Sequence, residues 1–171
     1  HHLLRRQRQM CIRDSLMSHP KFVEGARCLQ EAGLSLDFWI YHTQLSEMEK
    51  IAMTLPELSI ILNHIGGPIH LGEYEGKQAL THREWRKAMM RLSRLPNIKV
   101  KLGGLGMEVN GAKFHLNQDP PNSSELADIW KPWIYETIDM FGIERCMFES
   151  NFPVDKGSCS YGSLWNAFKI I

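Results

Sequence analysis

Residues Leu58–Pro68, L-S-I-I-L-N-H-I-G-G-P, decide how this chain folds. Ser59–Leu62 is a short apolar, β-branched run, bounded by Pro56 on one side and Gly66-Gly67-Pro68 on the other. Apolarity sustained over so few residues predicts a strand buried on both faces, as in a parallel sheet covered by helices. His64 then stands at the carboxyl end of that strand. In parallel α/β architectures, ligands and catalytic groups collect at this edge.

The same alternation extends outward in both directions. Toward the amino terminus, Ser46-x-x-Glu49 has capping-box spacing and predicts a helix with Met48, Ile51, Ala52 and Leu55 on one face. Before it, Leu36–His42, L-D-F-W-I-Y-H, predicts an aromatic and β-branched strand. Phe22, Val23, Ala26 and Leu29 predict a leading helix closed at Gly33. Toward the carboxyl terminus, Thr81-x-x-Glu84 opens a helical pattern carrying Trp85, Ala88, Met89 and Leu92, which Pro96 stops. Ile98–Leu102 predicts a third strand running into Gly103-Gly104. Asn122 with Glu125 caps a helix that carries Leu126, Trp130, Ile134, Ile138 and Phe141, with a kink expected at Pro132 and an end at Gly142. Arg145–Ser150 predicts a fourth strand, followed by a loop and a last apolar-faced segment with Leu164, Trp165 and Phe168. Four successive βα units imply a parallel sheet with helices outside it, because parallel strands need crossover connections.

Composition bounds the rest. A chain of 171 residues, 43% hydrophobic, can form one sizeable core. A formal net charge of +1 gives no general electrostatic reason to expect nucleic acid or a membrane surface as partner, so a small molecule is the expected one. Cys11, Cys28, Cys146 and Cys159 form no C-x-x-C pair, and no apolar run approaches the ~18 residues of a membrane span, so a cytoplasmic setting is expected. Residues 1–15, HHLLRRQRQMCIRDS, carry four arginines and no apolar period. They resemble translated linker sequence and are set apart from a domain of residues 16–171. A basic arm that makes the chain a nucleic-acid-binding module is the alternative from another class.

Each strand ends by presenting a polar residue at about the same level: His42, His64, Lys101 and Asn151. Singly, each signal is weak, because a histidine after an apolar strand is more often a hydrogen-bonded turn residue. Repetition at one rim makes them candidates. Two neutral imidazoles from adjacent strands can share one metal ion, which makes His42 and His64 candidate ligands. Lys101 alternates with Val100 and Leu102, so it points to the rim, where a cation can bind a substrate carboxylate. Asp155 is a candidate general base in the last loop. The glycine pairs suit close substrate approach or plain turns, and they lack the spacing of a phosphate-binding loop.

The blocks D-F-W-I-Y-H-T-Q-L, L-N-H-I-G-G-P, V-K-L-G-G-L-G-M and E-R-C-M-F-E-S-N-F-P-V-D, in this order, resemble the carboxyl-terminal half of the amidohydrolase-related family of hydrolases, lactonases and decarboxylases. The resemblance covers residues 17–171. It implies a partial (β/α)8 TIM barrel, with the four strands as strands five to eight, and a divalent metal, zinc before others. It assigns His42 to the strand-five site residue, His64 to the strand-six histidine and Lys101 to a substrate-binding cation. Asn151 stands where many members place an aspartate that ligates metal and moves protons. An amide cannot act as a general base, which leaves that task to His64 or Asp155, or makes Asn151 a positioner of water or substrate. The family's amino-terminal H-x-H has no counterpart here, and a full barrel takes ~250 residues. Half an active site is therefore expected, inactive by itself and prone to self-association through open sheet edges. The implied activity is lactonase-like hydrolysis of a small carboxylated substrate, with metal-assisted non-oxidative decarboxylation as the alternative.

Overall fold

In the computed structural model, which describes residues 16–171, β1 (Ser35–Phe38), β2 (Ser59–Leu62), β3 (Ile98–Leu102) and β4 (Cys146–Phe148) lie side by side in chain order, each pair parallel. The helices α1 (Pro20–Glu31), α2 (Leu45–Thr54), α3 (Gln78–Leu92), α4 (Ser123–Phe141) and α5 (Tyr161–Ile170) precede, separate and follow the strands. This is an α/β fold of four βα units, part of a (β/α)8 barrel.

Strand alternation divides the sheet into two unlike faces. Phe38, Ile60, Leu62, Ile98 and Val100 face the helices and join Met48, Ile51, Trp85, Met89 and Leu92 in one buried cluster. Leu102 enters a second cluster with Leu126, Trp130, Ile134, Leu164 and Phe168, beneath α4 and α5. On the other face stand Ser35, Asp37 and Lys99, all exposed, with Ile61 and Lys101 half-buried. The expectation of strands buried on both faces is thus corrected: among the described residues only the helix side is covered, and the inner face lies open.

The amino-terminal end of the sheet is closed by two side chains. Asn97 donates through Nδ2 to the carbonyls of Ala52, Leu55 and Leu58 at 3.1–3.2 Å, where α2 turns into β2. Arg145 donates to Phe141 O, Leu95 O and Ser93 O at 2.8–2.9 Å, joining the ends of α3 and α4. Both satisfy carbonyls that helix ends leave open.

Element limits differ from the sequence expectations where side chains find other partners. β1 ends at Phe38, paired with Leu62, and His42 opens a short turn, His42–Gln44. Ser46 does not cap α2; the turn is set by Gln44, whose Oε1 accepts the Tyr41 N–H at 3.1 Å. α3 starts at Gln78, and Thr81 lies inside it, its hydroxyl donating to Ile69 O at 2.9 Å. The Asn122 and Glu125 capping box is present, with Asn122 Oδ1 accepting from Ser124 and Glu125, and α4 continues through Pro132. β4 is three residues long, shorter than expected. Residues 1–15, with the linker and nucleic-acid readings that fell on them, lie outside the described residues. Within those, no helix is long and apolar enough to cross a membrane, and Cys28, Cys146 and Cys159 are free.

Candidate functional site

At the end of β2 the backbone turns through four consecutive left-handed residues, His64, Ile65, Gly66 and Gly67, with φ of 54°, 49°, 76° and 53°. For the two residues that are not glycine, this conformation costs about 1–2 kcal/mol each. Surrounding bonds hold it. Trp85 Nε1 donates to Ile65 O at 2.6 Å, and the His64 N–H donates to Glu149 Oε1 at 3.1 Å. The same Glu149 oxygen receives the His64 ring through a short Nδ1 contact. One carboxylate therefore binds both backbone and ring of His64 and fixes the proton on Nδ1, so the Nε2 lone pair is left free. Trp39 lies edge-on to the imidazole, ring centres 4.6 Å apart.

Glu149 follows β4, its N–H donating to Leu102 O at 3.3 Å. The loop after β3 makes room for this arrangement with three glycines. A Cβ on Gly103 would lie 2.3 Å from Glu149 O and 2.4 Å from its Cγ. One on Gly104 would lie 2.6 Å from the His64 ring, and one on Gly106 would meet the Asp155 carboxylate at 3.1 Å. The glycines of V-K-L-G-G-L-G therefore clear space for three titratable side chains of the protein itself.

Asp155 is 1% exposed and completes the cluster. Asn151, itself left-handed at φ 52°, donates through Nδ2 to Asp155 Oδ1 at 2.8 Å. Burial pushes the Asp155 carboxyl up to about 6; the Asn151 amide, the Gly106 backbone and the nearby His64 oppose the rise, and Glu149 adds to it. A buried acid beside a carboxylate-oriented imidazole can hold and move protons near neutral pH.

His64, Asn151 and Asp155, separated in sequence, thus meet in one place. The other two candidates have different neighbours. His42 is buried beside Ile69, Glu84 and Tyr74. Lys101 lies on the inner face and donates to Asp37 Oδ2 at 2.6 Å. Glu149 is the residue that sequence reasoning passed over; its signal was an acidic side chain directly after a strand, in phase with inward-facing Lys101 and Met147. Among the described residues, no three His, Cys, Asp or Glu side chains converge in a metal-binding arrangement.

Comparison with known proteins sets this geometry in a family. The family model for amidohydrolases matches residues 13–171. The uncharacterized protein y4mH of Sinorhizobium fredii is 38% identical over 156 residues, covering 89% of this chain and 44% of that protein. An L-fucono-1,5-lactonase of Burkholderia multivorans is 27% identical over 143 residues, covering 84% of this chain and 45% of the lactonase. The chain thus spans less than half the length of these relatives. An amidohydrolase of Burkholderia multivorans, solved in separate crystals with bound HEPES and with bound zinc, superposes with a TM-score of 0.76 at 23% and 22% identity, covering 92% of this chain and 52% and 51% of those. With its fold shared by solved amidohydrolases and the family model running across almost its whole length, the chain belongs to the amidohydrolase family.

Proposed function

We propose that this chain supplies part of the active site of a lactonase-like hydrolase of small carboxylated substrates, with His64 as general base. The observation that carries this reading is the bonding of Glu149 to both the backbone and Nδ1 of His64, which leaves Nε2 as the basic atom. The L-fucono-1,5-lactonase relative supports the ester-type substrate. In the proposed reaction a water molecule gives its proton to His64 Nε2 while its oxygen attacks the lactone carbonyl. The tetrahedral intermediate then breaks its ring C–O bond, and His64 returns the proton to the leaving alkoxide. Glu149 stabilises the imidazolium between the two steps. Asp155, held by Asn151, is the second proton-holding group beside it.

Lys101 anchors the substrate carboxylate. Its present partner, Asp37, is 41% exposed, and a pair this open contributes only about 0.2–1 kcal/mol, so an incoming carboxylate displaces it at little cost. Zinc in catalytic sites takes three protein ligands and leaves one open position. Among the described residues the donors present, with His64 Nε2 foremost, do not make up that set.

The reading is tested by fusing the chain to the part of the Sinorhizobium relative that it does not match, and assaying L-fucono-1,5-lactone and a panel of carboxylated lactones. Turnover that falls about 10²-fold or more in His64→Asn supports it. Turnover unchanged by that substitution sinks it.

A further inference from the structure

His42 is the rim candidate that the proposed chemistry does not use, and it is bonded at two points to the loop carrying His64. Its side chain is 1% exposed. Its backbone N–H donates to Gly67 O at 3.1 Å, and the Ile69 N–H donates to its ring Nδ1 at 3.2 Å. One residue thus grips both ends of the Gly67–Ile69 turn, which begins at the last of the four left-handed residues His64 to Gly67. Thr81 holds the same turn from the other side through Ile69 O. Gly67 lets the turn close on the segment between β1 and His42, since a Cβ there would lie 2.5 Å from Ile40 O.

These bonds also fix the chemistry of the ring. A backbone N–H can only donate, so His42 Nδ1 must accept, and in the neutral ring the proton sits on Nε2. That Nε2 faces Glu84 Oε2 at 3.7 Å and has no hydrogen bond among the described residues. Burial, the dominant influence, pulls the His42 pKa below its ordinary value, and Glu84 opposes it. A neutral imidazole accepting at Nδ1 and protonated at Nε2 has no lone pair to give a cation.

We propose that His42 is a positioning residue, whose ring holds the Gly67–Ile69 turn and so fixes the strained segment on which His64 stands, and that it is not a metal ligand. The functional consequence rests on His64 being the base of the proposed reaction. The structural test below does not, so the two can fail separately.

The test uses ring-nitrogen NMR of the full chain with two variants. His42→Asn keeps an acceptor near the Nδ1 position, and His42→Phe keeps the bulk and removes it. In the unsubstituted chain the expected tautomers are Nε2–H for His42 and Nδ1–H for His64. His42→Asn retains the His64 ring signals, and His42→Phe shifts them and loses the bonded Nδ1 proton. In the fused enzyme described above, kcat follows the same order, near the parent level in His42→Asn and down by about 10²-fold in His42→Phe, as expected for a misplaced base. Should His42→Phe fail to fold, Thr81→Val loosens the turn from its other side and shifts the His64 signals in the same direction. Equal loss of the His64 signature in both His42 variants overturns the proposal. So do His42 resonances that move on titration with zinc, or a His64 signature unmoved by both His42→Phe and Thr81→Val. Absence of lactone turnover with the NMR pattern intact overturns the functional reading alone.

Discussion

Asp155 is the side chain whose ionisation shapes the stability of the site. Its folded pKa of about 6 lies above the ordinary carboxyl value of 3.8, so between these values the folded state binds more protons than the unfolded chain. The sign follows: Asp155 favours folding below pH 4, and that contribution is lost as pH rises through 6. Two pKa units correspond to about 3 kcal/mol, so Asp155→Asn is expected to gain up to that amount on the parent between pH 4 and pH 7 in urea unfolding. A difference that does not change with pH contradicts the assignment. Gly104→Ala adds a Cβ at φ +68° and 2.6 Å from the His64 ring. It is expected to cost at least about 2 kcal/mol, whereas Gly25→Ala in α1, with nothing within 4 Å, is expected to gain about 0.5–1 kcal/mol. Similar unfolding midpoints for the two variants would refute the steric account of the loop. His64, Asn151 and Asp155 stand out in the sequence as candidates because each follows a strand or lies in the loop after one, and the structure brings them together. Glu149 does not stand out, because its role depends on a bond across 85 positions of sequence. The glycines of the third loop were visible, but their use was not: what they make room for lies on other strands.

Elements were legible where a local pattern met no competitor. Ser59–Leu62 and Ile98–Leu102 form strands as expected, and the Asn122 box caps α4, because apolar runs and a cap within four residues are decided locally. The Ser46 and Thr81 boxes have the same spacing and were overridden by other bonds, a local one before α2 and a longer-range one at Thr81. Thr81 turns its hydroxyl to Ile69 O, and the turn before α2 is set by Gln44. The strand ends were read too long at His42 and Ser150 because pairing, not propensity, stops a strand. Asn97 shows the converse, one polar residue that organises two elements. Asn97→Ala removes the amide whose two N–H groups are shared among the carbonyls of Ala52, Leu55 and Leu58 and is expected to cost about 2–3 kcal/mol, read as a lower urea midpoint with unchanged slope. A loss within about 0.5 kcal/mol would show that those carbonyls find other donors.

For the molecule as a whole, the fold class was legible from the repeat of strand and helix, whereas the strands, expected to be buried on both faces, are covered only on the helix side among the described residues. Asp37, Lys99 and Lys101 stand on the open inner face, while β1 and β4 each have one partner in the sheet among the described residues. Unpaired edges and an uncovered face favour association, so the 171-residue chain by itself is expected to elute above monomer mass in light-scattering chromatography and to leave lactones unhydrolysed. A monomer with turnover contradicts this. The pairing of His64 with Glu149 is the centre of the account, because it joins two loops of the sheet rim and makes Nε2 a base. Its most direct test is kcat/KM for lactone hydrolysis by the fused enzyme with Glu149→Gln. An amide cannot stabilise the imidazolium as a carboxylate does, and a fall of about 10²-fold or more is predicted. A Glu149→Gln enzyme as active as its parent would contradict the account.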